Sequence, residues 1–230
     1  MVLTAKISKK NKLTSNIREL VLIPDNPLSF KAGQFLMVKI PSANGFVERA
    51  YSLASSPVQN QCLLFCYKLL DGGVSTQFLE KAPIGTEIEL RGPLGKFAID
   101  NSDQPLVMIA TGTGIAPYRS MLLDYLDERQ GERQIHLLFG IRSVQDIFWL
   151  DFLKELAAAH KNFSYEITLS EPDDKWDGLK GRVTDHILPE IDRGIKIFYL
   201  CGSPSMVKDV RAKLISNGMA AANIHFEIFT

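Results

Sequence analysis

Up to about residue 100 the apolar positions fall in short runs, apolar or alternating, separated by turn-forming residues. The runs are VLTAKISK, IRELVLI, GQFLMVKI, RAYSLAS, CLLFCYKLL and TEIELRG. A period of two is that of a strand with one covered face. Pro24 to Pro27, Pro41 to Gly45, Asp71 to Gly73 and Pro83 to Gly85 separate the runs, with residues that favour turns. Six short strands without a long helix predict a small closed antiparallel barrel. One helical stretch, VSTQFLEK (74–81), interrupts them.

From about residue 103 the rhythm changes. PLVMIA is a continuous apolar run, as in a parallel strand covered on both faces. The amphipathic stretch IAPYRSMLLDYLDER follows. Strand QIHLLFG, helix DIFWLDFLKELAAAH, strand FSYEITLS, short helix VTDHILPEI, strand IKIFYLC, helix SMVKDVRAKLISNG and strand IHFEIF complete the alternation. This pattern predicts a doubly wound α/β sheet. The polar segment IDNSDQ (99–104) is the expected linker, giving domains 1–100 and 103–230.

Composition narrows the function. Lys plus Arg (26) balance Asp plus Glu (26), so no basic excess points to nucleic acid. No apolar run reaches the roughly 18 residues of a bilayer span, and MVLTAKISKK lacks a signal-peptide core. The expectation is a cytoplasmic protein with no membrane contact, acting as a monomer. Cys62, Cys66 and Cys201 are too few for a four-ligand iron–sulfur cluster. Spaced by four, Cys62 and Cys66 are expected on one face of a strand as a half-buried pair. His136, His160, His186 and His225 are scattered, and no metal site is expected.

Candidate chemistry gathers at two glycine loops. VMIATGTGIAP runs from strand through Gly112 and Gly114 to a helix start with Pro117. Glycine permits close approach of a ligand to the backbone, and the helix start offers free amides and a positive dipole end to a phosphate. Taken alone, such a loop is as readily only a turn, and the third glycine of G-x-G-x-x-G is absent. YLCGSPSM (199–206) repeats the layout, with Cys201 at a strand end before Gly202 and Pro204. Cys201 alone reads equally as a core residue. Ligands bind open α/β sheets at the carboxyl ends of strands, and two loops there could hold the two ends of one dinucleotide.

RAYS (49–52), GGVS (72–75), GTGIAP (112–117), CGSPSM (201–206) and IHFEIF (224–229) stand in one order. Together they resemble the ferredoxin–NAD(P)H reductase family of FAD flavoproteins over nearly the whole chain. The resemblance implies an FAD-binding Greek-key barrel followed by a nicotinamide-nucleotide α/β domain. It implies that Arg49, a forked cationic donor, contacts the FAD pyrophosphate. Tyr51 packs on the flavin, with Ala50 beside it, and Ser52 hydrogen-bonds near flavin N5. Cys66, Tyr67 and Lys68 hold the flavin through the main chain. Gly73, Val74, Ser75 and Thr76 bind the pyrophosphate at the start of the short helix, and Thr113 touches the cofactor. Cys201 approaches nicotinamide C4 for shape and positioning, not nucleophilic attack. Gly112, Gly114, Pro117, Gly202, Pro204 and Met206 form the dinucleotide site. Plant-type members end in Glu, aliphatic, Tyr. Here Glu227, Ile228 and Phe229 stand in those places, with Thr230 beyond. Phe229 is expected to stack on the isoalloxazine until nicotinamide displaces it, and Glu227 to assist proton and electron transfer with Ser52 and Cys201.

The resemblance implies hydride transfer from nicotinamide C4 to flavin N5, then single electrons to a ferredoxin- or flavodoxin-like carrier. A free-flavin reductase and an electron-transfer subunit of a larger complex are the alternatives. NADPH-using relatives place Ser-Arg after the third α/β strand. Here Ser170 is followed by Glu171, and an acidic residue repels a 2′-phosphate. Arg142, Lys175, Lys180 and Arg182 are candidate phosphate partners. The balance favours NADH.

Overall fold

A computed structural model describes residues 1–192 and 194–229. The chain forms two compact units. The first joins Met1–Ile99 to Ala116–Gln130, and the second joins Asp100–Ile115 to the chain from Gly131.

The first unit contains β1 (Val2–Lys12), β2 (Ile17–Pro24), β3 (Phe35–Ser42), β4 (Gly45–Ser52), β5 (Leu63–Lys68) and β6 (Glu87–Leu94). They form one antiparallel sheet in the order β4-β3-β6-β1-β2-β5. Alternate residues enter the core: Ala5 and Ile7, Leu20 and Leu22, Leu36, Val38 and Ile40, Ile88 and Leu90. Burying each large aliphatic side chain contributes about 1.5–3 kcal/mol, and that burial fixes the register. The sheet curls until its edges, β4 and β5, approach each other. Tyr51 of β4 fills that approach, its ring edge-on to Phe65 at 6.3 Å and to Tyr67 at 6.2 Å on β5. The helix expected at 74–81 is α1 (Val74–Lys81).

The strand carrying the cysteines starts later than the periodicity suggests. Cys62 lies before β5, in a turn closed by its amide on the Gln59 carbonyl. Cys66 is buried and Cys62 only half-buried, so the two are not a matched pair on one strand face.

The second unit is a sheet of β7 (Leu106–Thr111), β8 (Ile135–Ile141), β9 (Phe163–Leu169), β10 (Leu179–Lys180), β11 (Ile197–Gly202) and β12 (Ile224–Ile228). All pairs are parallel, in the order β10-β9-β8-β7-β11-β12. The chain steps outward one way through β8 and β9 and the other way through β11, so the switch point lies between β7 and β11. Val107, Ile109, Leu138, Phe198 and Leu200 meet Val207, Val210 and Leu214 of α5 (Pro204–Ser216) on one face.

Three predicted helices are broken. After Gly112 the chain makes a 3-10 turn (Gly112–Ile115), then α2 (Ala116–Leu122), then a π-helical segment (Leu123–Glu128). α2 and the π segment pack within the first unit: the Tyr118 ring lies 5.8 Å from that of Phe97. The next helix, α3 (Leu150–Ala159), starts at Leu150, because Trp149 takes a left-handed φ of 55° that a helix cannot continue through. VTDHILPEI divides into a 3-10 turn (Val183–Asp185) and α4 (Leu188–Asp192). β10, two residues long, is too short to show a period.

Candidate functional site

The RAYS segment is the last half of edge strand β4. Arg49 is exposed, and its Nη1 donates to the Glu48 carbonyl at 2.9 Å. The neighbouring Glu48 carboxylate is taken by Arg91, at 2.7 and 3.1 Å. That pairing lowers the Glu48 pKa and matches its charge without Arg49. Ala50 is exposed, Tyr51 half-buried and Ser52 buried. Burial pushes the Tyr51 phenol up to about 12 despite the opposing pull of Arg49, so the group is a neutral donor at any working pH. On β5, Cys66 is buried and its thiol is pushed up by burial, then by Glu19. Lys68 is exposed. The Tyr67 hydroxyl is buried and has no hydrogen-bond partner among the described residues.

α1 begins without a side-chain cap. Gly73 holds the N-cap position, and a Cβ there would lie 2.8 Å from Thr76 Oγ1 and 3.0 Å from Leu70 Cβ. Gly72 before it has a φ of 73°, which favours glycine. Thr76 Oγ1 is spent locally, donating to the Gly73 carbonyl and accepting from the Leu70 amide. Val74 is exposed. Ser75 is buried, and its hydroxyl too has no partner among the described residues. The amides that open a helix need acceptors, and here neither the N-cap residue nor an acidic first turn supplies one.

In the second unit the two glycine loops touch. Gly112 takes a φ of 53°, and a Cβ on Gly114 would come within 2.2 Å of the Cys201 carbonyl oxygen. A Cβ on Gly202 would meet Thr111 Oγ1 at 2.2 Å. Thr113 is half-buried; Pro117, which is buried, lies on α2 and so belongs to the first unit. α5 is capped by its own chain: Ser203 Oγ accepts from the Met206 amide at 3.3 Å, and Pro204 opens the helix. Cys201 lies between Ala110 on β7 and Glu227 on β12. Burial, and secondarily Glu227, push its thiol well above the ordinary range. The Phe229 amide donates to the Gly202 carbonyl at 2.9 Å, which ties the half-buried C-terminal aromatic to the second loop. Thr230 lies outside the described residues.

At the carboxyl ends of β8 and β9, Arg142 Nε meets Glu171 Oε2 at 2.9 Å, and the Glu171 amide donates to the Arg142 carbonyl at 2.7 Å. Both side chains are exposed. Ser170 precedes them, its amide on the Ile141 carbonyl. Arg182 heads the 3-10 turn after β10, with its amide donating to Asp185.

Residues 4–99 match the oxidoreductase FAD-binding domain family, and residues 108–212 the oxidoreductase NAD-binding domain family. The chain is 34% identical to ferredoxin–NADP reductase B of Sorangium cellulosum over 209 residues, which is 86% of this chain and 84% of that protein. The chain belongs to the ferredoxin–NAD(P)H reductase family. It is also 35% identical to the toluate 1,2-dioxygenase electron transfer component of Pseudomonas putida, over 89% of this chain and 60% of that one. It thus spans about three fifths of the length of that relative. In three dimensions it is similar to the Amycolatopsis cytochrome P450 reductase GcoB, with a TM-score of 0.91, 28% identity, all of this chain and 70% of that one covered.

Against the reductase-family motifs, two groups of residues were not visible in sequence patterns. Arg119 on α2 donates from Nη1 to the Ala54 carbonyl at 2.7 Å, two residues after Ser52. Burial lowers its pKa, while Glu19 and Cys66 oppose that. An arginine among the buried positions of IAPYRSML was the available signal. His136, Glu166 and Glu190, far apart in sequence, have ligand-type atoms all within 4.8 Å of one another. His136 lies 3.3 Å from Glu166, with its other ring nitrogen 2.9 Å from Ser164 Oγ. His136 and Glu166 project from neighbouring strands on the sheet face that carries Leu138, a relation only the strand register reveals. Among the described residues, no helix is long and apolar enough to cross a membrane.

Proposed function

We propose that this chain is an NADH-oxidising FAD reductase that delivers electrons singly to a separate ferredoxin- or flavodoxin-like protein. The observation that carries the reading is the seat prepared at α1. Its N-terminus has no side-chain cap, and the buried hydroxyl of Ser75 in its first turn, like that of Tyr67 on β5, has no partner among the described residues, which a dinucleotide could supply. These residues fit FAD. Val74, Ser75 and Thr76 would hold its pyrophosphate by first-turn amides and the Ser75 hydroxyl, with Gly73 giving close approach, Arg49 would add a charge-assisted bond, and Tyr51 would pack its ring face on the flavin. Bound FAD supplies the chemistry, taking hydride at N5 from nicotinamide C4 and returning electrons one at a time.

The protein's own part is alignment. Ser52, buried at the end of β4, would hold a hydrogen bond at N5. Gly112, Gly114 and Gly202 would let the nicotinamide nucleotide lie against the main chain, with Pro117, Pro204 and Met206 shaping its seat. Cys201, neutral through burial, would set the position of C4 by its bulk. Phe229 would cover the flavin until nicotinamide takes its place, and Glu227 would hold or pass a proton beside Cys201. The Arg142–Glu171 pair favours NADH, since a 2′-phosphate there would have to compete with a carboxylate for the guanidinium. The acceptor class follows from the relatives named for electron transfer and for ferredoxin. Cys62, Cys66 and Cys201 are free thiols too few to hold an iron–sulfur cluster. Free thiols also suit the cytoplasm, where the chain would act as a monomer.

Mixing the purified yellow protein with NADH and with NADPH under anaerobic stopped-flow tests this. Flavin bleaching by NADH, faster than by NADPH, and retention of flavin through gel filtration are expected. Colourless protein, or flavin that neither nucleotide bleaches, refutes the reading. Flavin lost on the column and turned over as a substrate would make it a free-flavin reductase instead.

A further inference from the structure

The run SKKNK (8–12) reads as a solvated charged stretch. The structure turns one of its lysines inward. Between Ile7 and Lys9 the register of β1 against β2 shifts by a residue, the mark of a β-bulge. Ile7 pairs with Leu22 before it and Lys10 with Leu20 after it, and both partners are buried. Opposed residues of an antiparallel pair point to the same face, so the bulge sends Lys10 to the covered side.

There its ammonium meets the end of α1. Lys10 Nζ donates to the carbonyls of Leu79, Glu80 and Ala82 at 3.3, 2.8 and 2.7 Å. These are among the carbonyls that a helix end leaves without intrahelical donors, and a cation there complements the helix dipole. Arg18 on β2 holds the same turn, with Nε 3.0 Å from each carboxylate oxygen of Glu80. Its Nη1 also donates to the carbonyls of Thr14, Ser15 and Ile17. α1 is therefore clamped from two strands at its C-terminus and left open at its N-terminus.

We propose that Lys10 is a positioning residue for the flavin dinucleotide: through α1 it sets where Val74, Ser75 and Thr76 present their amides. The inference rests on the reading of the α1 N-terminus as the pyrophosphate seat. α1 is eight residues, about 12 Å long, so its hydrogen-bonded backbone links the clamped Ala82 end to the turn that presents those amides.

The test compares FAD with riboflavin, which has the ring but no pyrophosphate, by fluorescence titration of the full chain freed of flavin. Wild type should prefer FAD. Lys10→Met should weaken FAD about tenfold, within the range for groups coupled through a backbone shift, and leave riboflavin within about twofold. Lys10→Arg, which keeps the charge, should restore most of the FAD affinity. If Lys10→Met does not fold, Lys10→Gln is held to the same ratio. Unchanged FAD affinity, or an equal loss for FAD and riboflavin, overturns the inference while the pyrophosphate seat stands. A wild type that does not distinguish FAD from riboflavin overturns both.

Discussion

Gly114 lies against the main chain of Cys201 so closely that a methyl group on it would stand 2.2 Å from the Cys201 carbonyl oxygen and 2.6 Å from its carbon. At this point the first glycine loop is packed on the second main chain to main chain, and neither can move aside as a side chain could. Gly114→Ala must push β11 or the 3-10 turn away, at about 1–3 kcal/mol. The expected outcome is a KM for NADH raised about tenfold or more, with flavin content unchanged. Steady-state kinetics and the flavin-to-protein absorbance ratio check it. Loss of flavin with unaltered KM would mean that the two loops serve the wrong cofactor.

The Arg142–Glu171 pair is exposed, so it is worth no more than about 1 kcal/mol in stability. In the proposed function its effect is on selectivity. Glu171→Gln leaves the guanidinium in place and removes the competing charge. The ratio of kcat/KM for NADPH to that for NADH should rise about five- to tenfold, with the melting temperature unchanged. Arg142→Gln in that background should cancel the gain. A ratio indifferent to both changes would place the adenosine ribose elsewhere.

Both folding patterns were legible in the sequence because each unit buries its sheet differently. The barrel strands cover one face, so the buried Leu36, Val38 and Ile40 alternate with the half-buried Phe35, Met37 and Lys39. The strands of the parallel sheet are covered on both faces, so Leu106 to Ala110 are all buried. The glycines of the loops were legible for a related reason: Gly112 and Gly202 take φ values of 53° and 150°, and Gly114 has no room for a side chain. What stayed hidden is long-range and polar. Lys10 meets carbonyls about 70 residues away, and Arg119 meets Ala54 across 65. Neither leaves a period in the sequence, since one lysine at a bulge and one arginine on a helix look like any surface charge. The short break at Trp149 was hidden for the opposite reason: it depends on one residue's φ, which a hydrophobic pattern does not encode.

Burial separates the three thiols. Cys201 and Cys66 are both pushed well above the ordinary range, first by burial and then by Glu227 and Glu19 respectively. The thiolate is the reactive form, so neither should react at pH 8. Half-buried Cys62 is the accessible thiol. Titration of the native protein with a chromogenic disulfide should show one fast-reacting group, Cys62, abolished in Cys62→Ser, and all three after denaturation. Rapid labelling of Cys201 in the native protein would contradict its neutral, space-filling role.

The Tyr51 phenol offers a pH test on the flavin-free chain. Its pKa stands at about 12 in the folded protein against 10.0 when unperturbed. Below pH 10 the phenol is protonated in both states and its contribution to stability is complete. As pH rises from 10 towards 12 the unfolded chain releases the proton first, so unfolding becomes easier. Two units correspond to about 3 kcal/mol, and that loss should be complete only above the folded value. Tyr51→Phe removes this titration. The variant's unfolding free energy should therefore fall less steeply than the wild type's across that window, while the two curves run parallel below it. Tyr67, whose phenol is raised even further, first by burial and in smaller part by Tyr51 itself, loses that part in the variant, so the difference between the curves contains the coupling of the two phenols. Parallel curves throughout would mean that the Tyr51 hydroxyl reaches water in the folded chain. It would then not be the desolvated neutral ring that the proposed flavin contact requires.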